Sequence, residues 1–154
     1  MKHSIVLLLA MIAPLCAENL FSNGDMDTAG AWKGSKKIDK EMVNDKPNRF
    51  LVVAAKKKDT VTFHQDIDTK GMISVELKLR YRSKDYKGRG LEIRGVRTGG
   101  SSTFQDFELV ADGAWHEINW SYTQVQRSRR IDFNFKVLEG EGDVCFDDIS
   151  AEKS

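Results

Sequence analysis

The sequence is poor in cysteine, proline and histidine, which number two, two and three among its 154 residues. One cysteine and one proline fall within the first 17 residues, so Cys145 and Pro47 are the only ones in the rest of the chain. A disulfide within residues 18–154 is therefore excluded, and so is a proline-rich stalk. The two histidines of that region, His64 and His116, are isolated and lack the spacing of zinc ligands.

A charge excess of either sign is also lacking, since 24 Lys and Arg residues face 23 Asp and Glu residues for a net charge of +1. Binding to a nucleic acid backbone requires a strongly basic surface, so we expect no nucleic acid partner. The sequence patterns of catalysis are missing as well, because there is no Ser-His-Asp order, no phosphate-binding loop and no sign of the opposed carboxylate pair of a glycosidase. The sequence therefore predicts a protein that is not an enzyme.

The longest apolar run lies at the amino terminus. A short basic start precedes apolar residues 5–15, which are too few to span a bilayer with ease, and Ala17 supplies a small residue before a cleavage site. We predict that residues 1–17 are a signal peptide and that residues 18–154 form one secreted or periplasmic domain. Lipid attachment at Cys16 is the alternative. No later run is long enough to cross a membrane.

Alternation of apolar and polar residues dominates the remaining sequence. It predicts strands over residues 50–54, 60–65, 73–82, 91–96, 104–110, 116–122, 131–137 and 143–149. Turn residues rich in Gly, Asp, Lys and Ser separate these segments. Residues 25–49 are less patterned, and we expect a long loop with short extended pieces there. Short strands at regular spacing, each with one polar face, predict an all-β, antiparallel β-sandwich.

Three motifs occur in order along the chain. The first reads NLFSNGDMD over residues 19–27, the second DGAWHEI over 112–118, and the third GDVCFDDI over 142–149. Together with Trp32, they resemble the galactose-binding-like jelly rolls, and most of all the family 4 and 9 carbohydrate-binding modules. The resemblance implies a jelly roll that binds a poly- or oligosaccharide without catalysis, and we expect it to be a monomer. A structural or adhesion β-sandwich with no sugar site is the alternative, because fold alone does not decide function.

Acidic residues occur in both the opening and the closing motif. By the resemblance, a structural calcium would be held by the main-chain carbonyl of Asp25, the carboxylate of Asp27 and that of Asp147. Calcium takes about six to eight oxygen ligands, and residues 45–48 could supply others. Strand alternation places Asp147 and Asp148 on opposite faces, so we expect only one as a primary ligand. The alternative is turn chemistry, in which Asp side chains bond their own backbone.

The candidate glycan-binding residues are polar side chains at outward strand positions and one aromatic expected at a loop or rim: Arg80, Arg82, Tyr86, Arg94, Asn134 and Lys136. They project together only if strands 73–82, 91–96 and 131–137 share a sheet, which we take from the resemblance. Arginine is a planar, bidentate donor, so a charged or hydroxyl-rich glycan fits, and we expect an anionic one to be preferred. The simpler interpretation is a solvated sheet face.

Two further features have both a structural and a functional interpretation. Residues 56–58 and 127–130 are basic runs, which either protect sheet edges or attract an anionic polysaccharide.

By the resemblance, Trp32 and Trp115 are expected to be buried at strand entries. Cys145 is most simply a small buried apolar residue.

Overall fold

The structure is a computed structural model that describes residues 18–27, 30–124 and 126–154. The predicted signal peptide, residues 1–17, lies outside the described residues. Among the residues that are described, no helix is long and apolar enough to cross a membrane.

Two five-stranded antiparallel sheets make up the fold. The first sheet has the order β1-β4-β10-β7-β8 and is formed by Lys33–Gly34, Val61–Asp68, Arg130–Val137, Leu91–Arg97 and Ser102–Phe107. The second sheet has the order β2-β3-β12-β5-β9 and is formed by Lys37–Val43, Lys46–Ala54, Asp143–Lys153, Ser74–Arg82 and Trp115–Thr123. Strands β6 (Lys87–Gly88) and β11 (Gly140–Glu141) form a small ribbon. The predicted antiparallel β-sandwich is confirmed.

The core lies between the two sheets and follows the alternation in the sequence. In β5, every second residue from Val75 to Tyr81 is buried, and β10 contributes Phe133 and Phe135 from the facing sheet. The rings of Phe63 and Phe135 stack with centroids 5.0 Å apart. Burial of side chains of this size contributes roughly 1.5–3 kcal/mol each, so the two apolar faces are the main stabilising feature of the sandwich.

The opening segment lies against the closing strand β12. The amide of Leu20 donates to the carbonyl of Ala151, and the amide of Ile149 donates to the carbonyl of Gly24, both at 2.8 Å. Asn19 accepts from the Ala151 amide and donates to the Ile149 carbonyl through its side chain. A Cβ on Gly24 would lie 1.9 Å from the Ile149 oxygen, so the close approach requires glycine. The opening and closing motifs are therefore neighbours in the fold.

The prediction of a long loop over residues 25–49 is wrong in its second half. Strand β2 occupies Lys37–Val43 and forms a hairpin with β3, with left-handed φ angles of 49° and 62° at Asn44 and Asp45. Such angles in a two-residue turn match the twist of the strands that they join. Because β2 is an edge strand with exposed or half-exposed residues throughout, it has no buried face to produce an alternating pattern.

The assumption that strands 73–82, 91–96 and 131–137 share a sheet is also wrong. The last two correspond to β7 and β10, which are neighbours in the first sheet. The first corresponds to β5, which lies between β12 and β9 in the second sheet. Alternation distinguishes inward from outward positions, but each sheet of a sandwich has its own solvent face, so alternation does not assign a strand to a sheet.

Tyr86 lies in the loop between β5 and β6, which agrees with the predicted loop or rim position, but only 5% of its surface is accessible. Its hydroxyl accepts from the Gly90 amide at 2.9 Å and lies 3.1 Å from the carbonyl oxygens of Gly90 and Leu138. Burial raises the pKa of Tyr86 above its usual 10, which keeps the hydroxyl a donor. The side chain therefore joins two loops from the inside and does not face a ligand.

Replacing Tyr86 with phenylalanine is expected to lower the free energy of unfolding by about 1–3 kcal/mol, because the Gly90 amide and the Leu138 carbonyl lose a buried partner. Urea denaturation of Tyr86→Phe measures the change. Phe104→Leu is the control, because Phe104 is exposed and its replacement should change stability by no more than about 0.5 kcal/mol. Equal denaturation midpoints for Tyr86→Phe and the unchanged protein would contradict the assignment.

Candidate functional site: a polar groove on the second sheet

One row of outward side chains crosses all five strands of the second sheet. Cross-strand pairing places Lys37 beside Val52, Val52 beside Cys145, Cys145 beside Arg82, and Arg82 beside Trp115. Neighbouring strands lie about 4.8 Å apart, so this cross-sheet row is roughly 19 Å long. Its middle is apolar and its Lys37 end is basic, while Arg82 and Trp115 form its other end.

Guanidinium groups and aromatic rings pack together at the Trp115 end of the row. The Arg82 Cζ atom lies 4.6 Å from the Trp115 ring centroid and 5.2 Å from that of Phe50. The Arg80 Cζ atom also lies close, 5.0 Å from the Trp115 ring centroid. Phe50 is buried beneath this layer, whereas Trp115 is only half-buried. Cation–π contact therefore holds both arginines in place beside one partly accessible ring.

Each of these arginines also forms an ion pair. Arg82 Nη1 lies 2.8 Å from Glu41 Oε2, and Arg80 Nη1 lies 2.9 Å from Asp148 Oδ2. A guanidinium has five N–H donors, so one carboxylate contact leaves other donors available for a ligand. The ion pairs also balance the local charge, so the arginines act as oriented donors more than as an excess of positive charge.

The carboxyl group of Asp147 lies at the base of this region and is 2% exposed. It accepts hydrogen bonds from Asn48 Nδ2 at 3.1 Å and from the Asp148 amide at 2.9 Å. Burial is the main cause that raises the pKa of Asp147 from 3.8 to about 6, while the Asn48 hydrogen bond opposes the shift. The group is therefore mostly ionised at neutral pH and takes up a proton on mild acidification.

A bulge in β12 places both neighbouring acids on the solvent side of the second sheet. The pairing register with β5 shifts between Asp147 and Ser150, and Asp148 has a φ of 48°. Strand alternation predicts opposite faces for Asp147 and Asp148, but the extra residue interrupts it. Asp148 thus reaches Arg80 on the outer face, and the prediction that the two acids face opposite ways is wrong.

The β2–β3 hairpin turns the Trp115 end of the row into a groove. The groove has a volume of about 510 Å³, and Arg80, Arg82, Trp115 and Asn48 lie along it. The hairpin contributes apolar and basic wall residues: Met42, Val43, Lys46 and Pro47. Its shape and its mixture of ring, amide, guanidinium and carboxylate groups suit a ligand with both apolar faces and hydroxyl groups.

The structure divides the predicted glycan-binding residues between two surfaces. Arg80 and Arg82 lie in the groove, and the buried Tyr86 lies in neither surface. The others lie on the outer face of the first sheet: Arg94, Asn134 and Lys136. They are therefore not brought together with the first two arginines.

The first-sheet surface has a smaller cluster of its own. Glu92 accepts from Arg94 Nε at 2.7 Å and lies 3.0 Å from the Lys136 ammonium, and the hydrogen bond from Arg94 is the main cause that lowers the pKa of Glu92. The Arg94 Cζ atom lies 4.6 Å from the ring of Phe104, which is 51% exposed. This pair repeats the arginine–aromatic contact of the groove on the opposite side of the sandwich.

The predicted calcium ligands lie in two separate networks. Asp25 accepts from the Asp27 amide at 3.4 Å, which is the turn bond of the alternative interpretation, and the Asp27 carbonyl accepts from the Arg49 guanidinium. Asp147 is bonded to Asn48 instead. Within residues 18–27, 30–124 and 126–154, no three acidic, histidine or cysteine side chains converge on a possible metal position. The predicted side chains therefore do not form a ready cluster.

Sequence reasoning missed the aromatic residues of the groove. The expectation that Trp115 is buried is wrong, although its alternation with the buried Ile118 and Tyr122 already assigns it to the outward set with Glu117. The resemblance overrode that signal. No comparable signal exists for Phe50, because it begins a run of apolar residues in which both faces look alike. Cys145, expected to be buried, is half-buried in the cross-sheet row.

Solved structures with this architecture include carbohydrate-binding modules. A family 4 module superposes with a TM-score of 0.64 at 15% identity, over 87% of this chain and 99% of that one. A family 16 module gives 0.64 at 12% identity, over 88% and 100%. TmCBM61, solved in complex with β-1,4-galactotriose, gives 0.58 at 13% identity, over 90% and 100%. The sequence matches no protein-family model and no curated protein.

These comparisons agree with the β-sandwich fold. At 10–16% identity across the neighbouring modules, the likeness concerns the backbone and not the binding residues. The resemblance to carbohydrate-binding modules that the three sequence motifs indicate is thus confirmed at the level of fold. The chain has the antiparallel jelly-roll β-sandwich of carbohydrate-binding modules.

Proposed function

We propose that the protein is a secreted, non-catalytic carbohydrate-binding module that binds an oligo- or polysaccharide in the groove of the second sheet. The observation that carries the proposal is the half-buried Trp115 ring held beside Arg80 and Arg82 in a concave site. The fold shared with carbohydrate-binding modules supports the same class of ligand.

The groove offers the two kinds of contact that a sugar requires. The accessible part of the Trp115 ring can pack against the C–H face of a pyranose, and the planar groups of Arg82 and Asn48 can bond its hydroxyls. Arg82 is already ordered by Trp115 and Glu41, so little side-chain entropy is lost when it donates to a ligand. Binding rests on a few polar contacts, so we expect a dissociation constant on the order of 10–1000 μM.

Preference for an acidic glycan is the finer part of the proposal. Arg80 and Arg82 each retain free N–H donors, and Lys46 adds a further positive charge to the wall. Their carboxylate partners Glu41 and Asp148 reduce the net attraction. The preference in the groove itself is therefore expected to be small and to weaken at about 0.5 M salt, because screening shortens the range of exposed charges.

The position of Asp147 supports the absence of catalysis. It is the one carboxyl group among the described residues whose pKa is raised. Asp147 has the elevated pKa that a general acid needs, but its side chain is almost completely buried and is occupied by Asn48. A general acid must lie within hydrogen-bond reach of the leaving oxygen. Asp147 therefore cannot approach a glycosidic bond without opening the base of the groove.

Trp115→Ala and Arg82→Ala are each expected to weaken glycan binding at least tenfold, because each removes a contact from the centre of the groove and hydrogen bonds to charged groups contribute about 1.5–3 kcal/mol. A glycan array selects the ligand, and isothermal titration calorimetry measures its affinity. Phe104→Ala and Arg94→Ala are matched controls, because this pair has the same 4.6 Å contact on the first sheet.

Two outcomes contradict the proposed site. If the Arg94 and Phe104 variants lose binding while the Trp115 and Arg82 variants keep it, the first-sheet surface is the site. If no glycan binds the folded protein at all, the structural or adhesion function remains. Circular dichroism of each variant establishes that the loss does not come from unfolding.

We also propose that a structural calcium joins the opening segment to the closing strand, as the family resemblance implies. The hydrogen-bonded contact of Gly24 with Ile149 supports the idea, because it brings Asp25 and Asp27 to the closing strand that carries Asp147. Main-chain carbonyl groups would have to supply several ligands, since the three acids do not converge by themselves.

Calcium is expected to raise the melting temperature of chelator-treated protein, because an ion that binds only the folded state stabilises it by about 2.7 kcal/mol at a hundredfold excess over Kd. Differential scanning calorimetry with and without calcium measures the shift. Asp27→Ala and Asp147→Ala should abolish it, whereas Asp106→Ala, in an exposed strand of the first sheet, should not. Superimposable curves for metal-free and calcium-loaded protein would refute the site.

A further inference from the structure

A second depression lies at the Lys37 end of the cross-sheet row. Its volume is about 470 Å³, and Val52 and Ala54 of β3 contribute apolar surface to it. Three lysines line it: Lys36, Lys37 and Lys56. It is separate from the groove at Trp115, but Val52 belongs to both the row and the depression.

Positive charge in this depression exceeds negative charge. Lys37 lies 3.4 Å from Asp39, and Asp143 is the carboxylate in the lining. Within the described parts of the chain, neither Lys36 nor Lys56 forms an ion pair with a carboxylate. Lys36 is half-buried, although a lysine is normally well exposed unless it is paired. Concave, partly apolar walls strengthen the field of such a cluster, which favours an anion.

Main-chain hydrogen bonds hold the two segments that carry these lysines. The Ser35 amide donates to the Thr62 carbonyl at 3.1 Å, immediately before Lys36. The carbonyl of Lys56 accepts from the Gly140 amide at 3.0 Å. A site whose backbone is already fixed loses less entropy when a ligand orders its side chains.

We infer that this lysine depression binds the sulfate or carboxylate group of an acidic glycan whose chain lies along the cross-sheet row. The glycan part of the inference rests on the proposed function, whereas the oxyanion site does not. A chain about 19 Å long would pass from Trp115 and Arg82 over Val52 to Lys37. The sugar would then be held by the groove and its acidic substituent by the lysines.

The basic run over residues 56–58 contributes only its first member to this site. Lys57 pairs with Glu141, and Lys58 is exposed outside the lining of the depression. Lys58 is therefore a natural control, because its replacement changes the same net charge two residues from Lys56.

The first experiment uses inorganic anions and needs no glycan. In sodium sulfate, amide NMR signals of Lys36, Lys37 and Lys56 are expected to shift to saturation, but not in sodium chloride of equal ionic strength. Lys36→Gln/Lys56→Gln should weaken sulfate binding about fivefold, because two of the three lysine contacts with the anion are lost. Lys58→Gln/Lys87→Gln should not. Linear shifts at all lysines, or equal effects of the two double variants, would overturn the site.

The second experiment tests whether the lysine depression binds the acidic group of a glycan. A neutral oligogalactan, its O-sulfated derivative and an oligogalacturonate are compared by calorimetry. If an acidic ligand binds the unchanged protein more tightly than the neutral oligogalactan does and loses this advantage in Lys36→Gln/Lys56→Gln, that ligand identifies the acidic substituent as sulfate or carboxylate. If all three oligosaccharides bind through Trp115 and the lysines add no affinity for the acidic ones, the proposed function stands and the inferred role of the lysine depression is overturned. Saturable sulfate binding without binding of any of the three oligosaccharides overturns the glycan part and keeps the oxyanion site.

Discussion

The pairing of the closing strand β12 is the interaction on which the rest of the structure depends. Strand β12 lies between β3 and β5 at the centre of the second sheet, and its second half also binds the opening segment through Leu20 and Gly24. Strand β12 therefore connects β3, β5 and the opening segment. Contacts between residues so distant in sequence form slowly, because loop closure costs entropy before the contacts compensate for it. The last strand must be in place before the groove can exist.

The same strand connects the fold to the candidate site. Cys145 occupies the middle of the cross-sheet row, and the bulge after Asp147 directs two carboxyl groups to the solvent side. Asp148 orients Arg80, while Asp147, below the groove, accepts a hydrogen bond from Asn48 in the groove lining. Since burial raises the pKa of Asp147 to about 6, the folded state favours its protonated form, and this contribution to stability falls as the pH rises from about 4 to about 6. Forming the base of the groove therefore costs stability at neutral pH.

A strand could be predicted from the sequence where one of its faces is buried. Strands β5 and β10 have one buried face, so alternation predicted both strands and their buried residues correctly, except for Ile73, which lies before β5 and is exposed. Strand β2 has no buried residue and only Ile38 packs against the core, and its hydrogen bonds to β3 come from the hairpin geometry, which leaves no alternating pattern to detect. The assignment of β5 to the second sheet depends on pairing between distant segments. For that reason Arg80 and Arg82 were expected beside Arg94, although the sandwich core separates them.

The arginines of the candidate site could be predicted from the sequence, but their aromatic partners could not, because these contacts join strands that are distant in sequence. An outward arginine is expected to be solvated, and nothing local indicates that Arg82 packs against the rings of Phe50 and Trp115, which belong to strands far apart in sequence. On the first sheet, Arg94 packs against Phe104 at the same distance, but that ring lies on the exposed edge strand β8. The two arginine–aromatic pairs are chemically alike, so composition cannot rank them. The β2–β3 hairpin makes the pair at Trp115 part of a groove, and concavity is what allows several weak contacts to act on one ligand.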